Sequence, residues 1–190
     1  RRISRGKFSY ARLISVKELA AKTVGDSNPI FESQLISVLA LYRTAEQEVE
    51  SLESEIIPLV QELNPKLLTI PGIGYITAAT IVAEYGDFSR FSSPSQMLSF
   101  AGLEPGYFQS GTSETTGKMV KHGSSYLRYA LMNCAQTVVN YEPTFAMFYA
   151  KKRAEGKPHR VALSHVVKKL LRVIYTLQTK NLAYDSDAVR

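Results

Sequence analysis

Residues 68–87, LTIPGIGYITAATIVAEYGD, decide how the rest of the chain is read. Ile70-Pro71-Gly72-Ile73-Gly74 places a proline and two glycines within five positions, a composition with which a chain turns sharply and bares backbone N–H groups. Beyond the turn, Ala78, Ala79, Ile81, Val82 and Tyr85 recur at three- and four-residue spacings. The segment therefore reads as a helix with one apolar face, ended by Gly86 in a left-handed conformation. Leu67 and Leu68, ahead of the turn, form a short first helix. Together they predict a helix-hairpin-helix over 67–86, with the amides of Gly72, Ile73 and Gly74 exposed at the start of the second helix. Such amides, helped by the helix dipole, suit a phosphate of a nucleic-acid backbone. A tight helical hairpin without a ligand fits the same residues.

The charge distribution bears on that choice. The chain has 190 residues, 45% of them hydrophobic, enough for one substantial core or for a small domain with an extended arm. Its net charge of +6 is unevenly spread. Arg1, Arg2, Arg5, Lys7 and Arg12 make a basic start, and Glu46, Glu48, Glu50, Glu53, Glu55 and Glu62 an acidic middle. From 151 to 172 cations dominate again, with Glu155 the only acid, so the basic surface shares a half of the chain with the glycine turn. The single cysteine, Cys134, excludes an internal disulfide framework, fits a reducing cytoplasm and lies in an apolar helical pattern, as a small buried hydrophobe does. No apolar run reaches the roughly 18 residues of a membrane span, and no secretory signal is present. The start at Arg1, without an initiator Met, is expected of a piece of a longer protein.

A first helix is predicted over about residues 8–24. Asn28 then caps a second, with Pro29 at its first position. Along it Leu35, Val38, Tyr42, Ala45, Val49, Leu52, Ile56, Leu59 and Leu63 alternate spacings of three and four, a heptad seam. Two partners fit the seam: the same helix of a second copy, giving a coiled-coil homo-oligomer, or the first helix of the same chain. Pro58 is expected to loosen the last turns. After the turn unit, Ser93 and Pro94 open a short helix ended by Gly102. Residues 102–123 then show neither helical nor strand period, and a loop of that length inside a compact domain is usually functional or disordered. Ser124 or Ser125 caps a helix whose face is Leu127, Leu131, Cys134, Val138 and Tyr141, and Pro143 opens the next. A last helix over about 160–180 buries Val161, Leu163, Val166, Val167, Leu170, Val173, Ile174 and Leu177. The expected class is all-α: a coiled-coil arm over 1–64, a compact helical domain over 65–182, and a flexible tail over 183–190.

Candidate chemistry is sparse. His122, His159 and His165 are scattered without the spacing of a zinc site, and the glutamates of the second helix alternate between faces as solvated charges do. Neither a nucleophile elbow nor a phosphate-binding loop motif occurs. What remains is the hydroxyl-rich loop. Ser110 stands beside Gly111, and the cations Lys118, Lys121 and Arg128 follow. A serine hydroxyl attacking phosphorus is a weak nucleophile that needs such electrostatic help, although Ser, Thr and Gly are also the ordinary residues of a flexible loop.

The order of these motifs resembles the C-terminal half of the DEDD-class insertion-sequence transposases. The matching positions are the heptad helix and the IPGIG turn with its TAA and GD; Phe91, Ser93 and Gln96; Gly102, Leu103 and Pro105; Ser110 and Gly111; and Gly117, Lys121, Gly123, Leu127 and Arg128. The resemblance implies that Ser110 is the nucleophile that joins covalently to DNA. It implies too that Mg2+ is held by an N-terminal RuvC-like domain preceding this piece, so that the piece alone is inactive. DNA and a structured guide RNA become the expected partners, in a bacterial cytoplasm and at the nucleoid. The family usually shows two serines followed by two glycines, where this chain has Gln109, Ser110, Gly111 and Thr112, and it lacks the basic run that usually follows. A second reading, a non-catalytic module that binds DNA and dimerises, uses the turn and the heptad helix alone.

Overall fold

The computed structural model describes residues 9–23, 25, 28–110, 113–119 and 122–189, with 105–110 and 113–119 followed as backbone. The chain divides into two compact units, Arg1–Val49 and Glu50–Arg190. The body is all-α, as expected. Among the described residues no helix is long and apolar enough to cross a membrane.

In the first unit, α1 (Tyr10–Ala21) begins where the Ser9 hydroxyl accepts from the Arg12 N–H at 3.3 Å. It buries no residue of its own. Helix α2 (Pro29–Leu63) starts at Pro29, with the Asn28 side chain accepting from the Ile30 N–H at 2.9 Å, and runs on through Pro58. Its seam residues Leu35, Val38 and Tyr42 lie exposed.

The second unit begins inside α2. Val60 is buried and Ile56 packs on the core, so the boundary falls at Val49/Glu50 rather than after residue 64 as expected from the heptad pattern. Asn64, at φ 41°, then ends the helix ahead of Pro65. The remaining helices are α3 (Tyr75–Tyr85), α4 (Pro94–Phe100), α5 (Ser125–Tyr141), α6 (Pro143–Ala154) and α7 (His159–Lys180). Three of these starts are fixed by side-chain caps. Ser93 caps α4 while the Gln96 side chain accepts from the Ser92 N–H at 2.8 Å, Ser124 caps α5, and the buried Glu142 caps α6 through the Thr144 N–H at 3.2 Å.

Helix α7 is the centre, packing on α4, α5 and α6 and on the 3-10 turns Lys66–Thr69 and Phe88–Arg90. Val166, Val167, Leu170 and Ile174 meet Leu127, Leu131, Cys134 and Val138 of α5 in one apolar cluster. Burial pushes the Cys134 thiol up to about 12, so it is a structural, unreactive side chain. Tyr85 is fully buried against Phe88, Phe91 and Phe100, and its hydroxyl donates to the Met97 carbonyl at 3.0 Å. Two residues expected on apolar faces are instead exposed, Tyr141 and Val161. Both sit at helix ends, where the neighbouring helix no longer covers them.

The tail expected to fray is tied back at its start. The Tyr184 N–H donates to the Thr69 hydroxyl at 2.8 Å, and its ring packs on the core. Burial and then the charge of Glu142 push its phenol up to about 12. A 3-10 turn follows at Asp187–Val189.

The 102–123 segment departs most from expectation. It carries an antiparallel pair, β1 (Pro105–Ser110) and β2 (Ser113–Met119), with Tyr107 opposite Thr116, Phe108 opposite Thr115 and Ser110 opposite Ser113. No period-two alternation announces it. The strand preference of aromatic and β-branched residues, matched across the pair, is the cause.

Candidate functional site

Ser110 is the last residue of β1 and pairs with Ser113 at the turn end of the ribbon. Lys118 lies in β2 beside the register shift between Pro105 and Tyr107. Gly111 and Lys121 lie outside the described residues.

The ribbon leaves and rejoins the helices through a tight neck. Gly102 (φ 64°) and Gly123 (φ 91°) both have positive φ, and each faces backbone from the other side of the neck. A Cβ on Gly102 would overlap the His122 carbonyl oxygen, and one on Gly123 would overlap that of Phe100. Glycine is required twice over, by conformation and by space. Arg128, in the first turn of α5, staples the crossing: its Nη1 donates to the carbonyls of Gly123 at 3.0 Å, His122 at 3.3 Å and Ala101 at 3.4 Å. The guanidinium expected to position a phosphate thus spends this nitrogen on the peptide groups that aim the ribbon. Arg90 braces the same end of α4, stacked 4.8 Å from the Phe91 ring centre and 4.9 Å from that of Phe100.

The glycine turn is built differently from its sequence reading. Its first element is a single 3-10 turn, Lys66–Thr69, held between Pro65 and Pro71. Ile70–Ile73 is a type II turn, with Pro71 second, Gly72 third at φ 94°, and the Ile73 N–H donating to the Ile70 carbonyl at 3.2 Å. That bond takes up the Ile73 amide, and the Ile73 side chain is buried. Gly72 faces α5: a Cβ there would stand 3.0 Å from the Thr137 carbonyl. Gly74 alone of the three faces open space, and it starts α3 without any side-chain cap. The turn and the neck dock on the same helix, at Thr137 and Arg128, about 14 Å apart along its axis at the usual helical rise.

Sequence reasoning missed Tyr126 and Tyr129, which stand out from α5 at 75% and 72% exposure beside a shallow groove of about 210 Å3 shared with Ile76 and Thr80 of α3. Their spacing of three within a helix was the available signal. No three His, Cys, Asp or Glu side chains converge among the described residues as a metal ion would need.

Residues 64–150 match a family of known proteins. The family matched over this stretch, from the end of α2 into α6, is the Transposase IS116/IS110/IS902 family. The chain is similar to the Insertion element IS110 uncharacterized 43.6 kDa protein of Streptomyces coelicolor, 30% identical over 142 residues, 74% of this chain and 35% of that protein. It is also similar to the Pilin gene-inverting protein of Moraxella bovis, 32% identical over 137 residues, 69% of this chain and 42% of that protein. The Transposase for insertion sequence element IS1328 of Yersinia enterocolitica is 25% identical over 143 residues, 73% of this chain and 43% of that protein. The chain therefore spans less than half the length of these curated relatives.

Proposed function

We propose that this chain is the serine-bearing part of a DNA transposase or recombinase, with Ser110 as nucleophile. The observation that carries the reading is the place of Ser110 at the tip of a ribbon whose neck is pinned by two glycines and Arg128, inside the stretch that matches a transposase family. In the reaction, Ser110 Oγ attacks a backbone phosphorus, the Oγ–P bond forms as the P–O bond to the leaving deoxyribose oxygen breaks, and the proton lost by Oγ is balanced by one gained on that oxygen. A hydroxyl so used needs a fixed angle of attack more than it needs a strong local base. Arg128 and the neck glycines supply the aim. Among the described residues no three His, Cys, Asp or Glu side chains gather, and the resemblance implies Mg2+ held in a RuvC-like domain. Incubating the full-length protein with DNA of its element ends and looking for a covalent adduct that survives denaturation tests the reading; no adduct refutes it.

DNA contact belongs at the start of α3, where the helix-hairpin-helix reading narrows to Gly74 and the amides after it. Gly74→Asp separates ligand from fold, because aspartate is a favourable N-cap and a Cβ meets nothing within 4 Å there. The expected result is an unchanged or raised Tm together with duplex affinity reduced about tenfold by the added negative charge. Unchanged affinity in a folded variant removes this amide group from the interface.

The exposed α2 seam makes a homo-oligomer the third element of the proposal. Leu52 lies 56% exposed on that seam, and Leu52→Arg is expected to shift light scattering at tens of micromolar from dimer or larger to monomer, as a charge in a heptad seam does. A wild-type monomer at that concentration overturns it. A guide RNA as further partner, and a place in the bacterial cytoplasm at the nucleoid, follow only from the family resemblance.

A further inference from the structure

Away from the ribbon, α6, α7 and the tail enclose a cleft of about 760 Å3. One wall is cationic, with Lys168, Lys169 and Arg172 within five residues of α7, a rise of about 6 Å. The floor is apolar and includes Phe148 from α6, Val173 and Leu177 from α7, and Leu182 beyond it. Lys169 lies over two rings, 5.6 Å from the centre of Phe145 and 5.2 Å from that of Phe148. The ion pair that neighbours this region joins Lys152 to Glu155 at 2.8 Å, and none of the three cations is in an ion pair among the described residues. Asp185 also lines the cleft, with one carboxylate oxygen accepting from the Asp187 N–H at 2.9 Å.

Cations gathered over about 6 Å suit one compact anion rather than the row of carboxylates along an acidic helix. The apolar floor next to them suits a flat ring, and a volume of this size holds a ring with its sugar. We infer that this cleft receives an unpaired nucleotide of a nucleic-acid strand, with its phosphate on Lys168 and Arg172 and its base against Phe148. The inference rests on the proposed role in DNA handling for the source of that strand. It assigns to the C-terminal helices a contact with single strands, distinct in chemistry from the duplex-backbone contact at Gly74.

Fluorescence anisotropy of the chain with labelled dT8 and with a 12-base-pair duplex, at one fixed salt concentration, tests it. Lys168 and Arg172 are exposed, so K168A/R172A should fold normally, and Phe148→Leu keeps an apolar side chain on the core. Each variant is expected to weaken dT8 about tenfold, the scale of one stacked base or its phosphate anchor, and to change duplex affinity less than about twofold. Equal losses for both probes, or dT8 affinity untouched by Phe148→Leu, overturn the assignment. Thymidine monophosphate that displaces dT8 at equal concentration overturns the strand as its source. Wild-type protein that binds duplex but not dT8 refutes the cleft alone; binding to neither refutes the cleft and the nucleic-acid reading together.

Discussion

Ser110→Ala in the full-length protein is expected to abolish the covalent protein–DNA product while leaving DNA affinity within about twofold, because one hydroxyl adds little to a multi-phosphate interface. The rate of joining should fall on the order of 10⁶-fold, the scale seen when a nucleophilic serine is removed from a hydrolase. Alanine keeps the backbone of β1 and its pairing, so the ribbon remains and only the attacking oxygen is lost. Denaturing gels of the reaction with element-end DNA read the adduct, and anisotropy reads the affinity. Retained joining removes Ser110 from the chemistry and points to Ser113, its partner across the ribbon. Loss of both joining and binding would show that the residue shapes the interface instead.

The second large effect concerns stability. Gly102→Ala is expected to cost about 3–5 kcal/mol, since a methyl group would overlap the His122 carbonyl oxygen at a position already at φ 64°. In a domain of this size that lowers Tm by roughly 10 °C. Gly156, at φ 79° with nothing within 4 Å of a Cβ, isolates the conformational part, and Gly156→Ala should cost only about 1 kcal/mol. Thermal unfolding of the two variants side by side checks the difference. Equal shifts would mean that the neck opens to admit the methyl group.

Much of the helical framework was legible in residues that act locally. Asn28, Ser93 and Ser124 cap where their side chains reach the next turn, and the seam from Leu35 to Leu63 announces a single long helix because its period is a property of the chain alone. The ribbon was less legible: strand pairing joins Tyr107 to Thr116 and Phe108 to Thr115 without alternation, and only the clustering of aromatic and β-branched residues hinted at it. Arg128 shows where local reading stops. Its spacing from Ser110 suggested a phosphate ligand, yet its guanidinium turns to carbonyls at Ala101, His122 and Gly123, one of them 27 residues away. The glycine turn was read correctly as a turn, but which of its amides stay open depends on α5 lying against Gly72, a contact between segments 65 residues apart in sequence (137 − 72).

The neck also makes the ribbon an interchangeable insert. Its two ends meet at Gly102 and Gly123, so the helical body presents the same fixed gap whatever spans it. Loop-closure entropy grows slowly with length, about 0.6 kcal/mol for each doubling, so residues can be added to or exchanged within the ribbon at little cost to the body. The departures around the serine, Gln109 before it and Thr112 after Gly111, fall in this tolerant stretch. Selection can therefore retune the tip that carries Ser110 while the scaffold beneath it stays constant, and a grafted ribbon from a relative would be the natural unit of exchange.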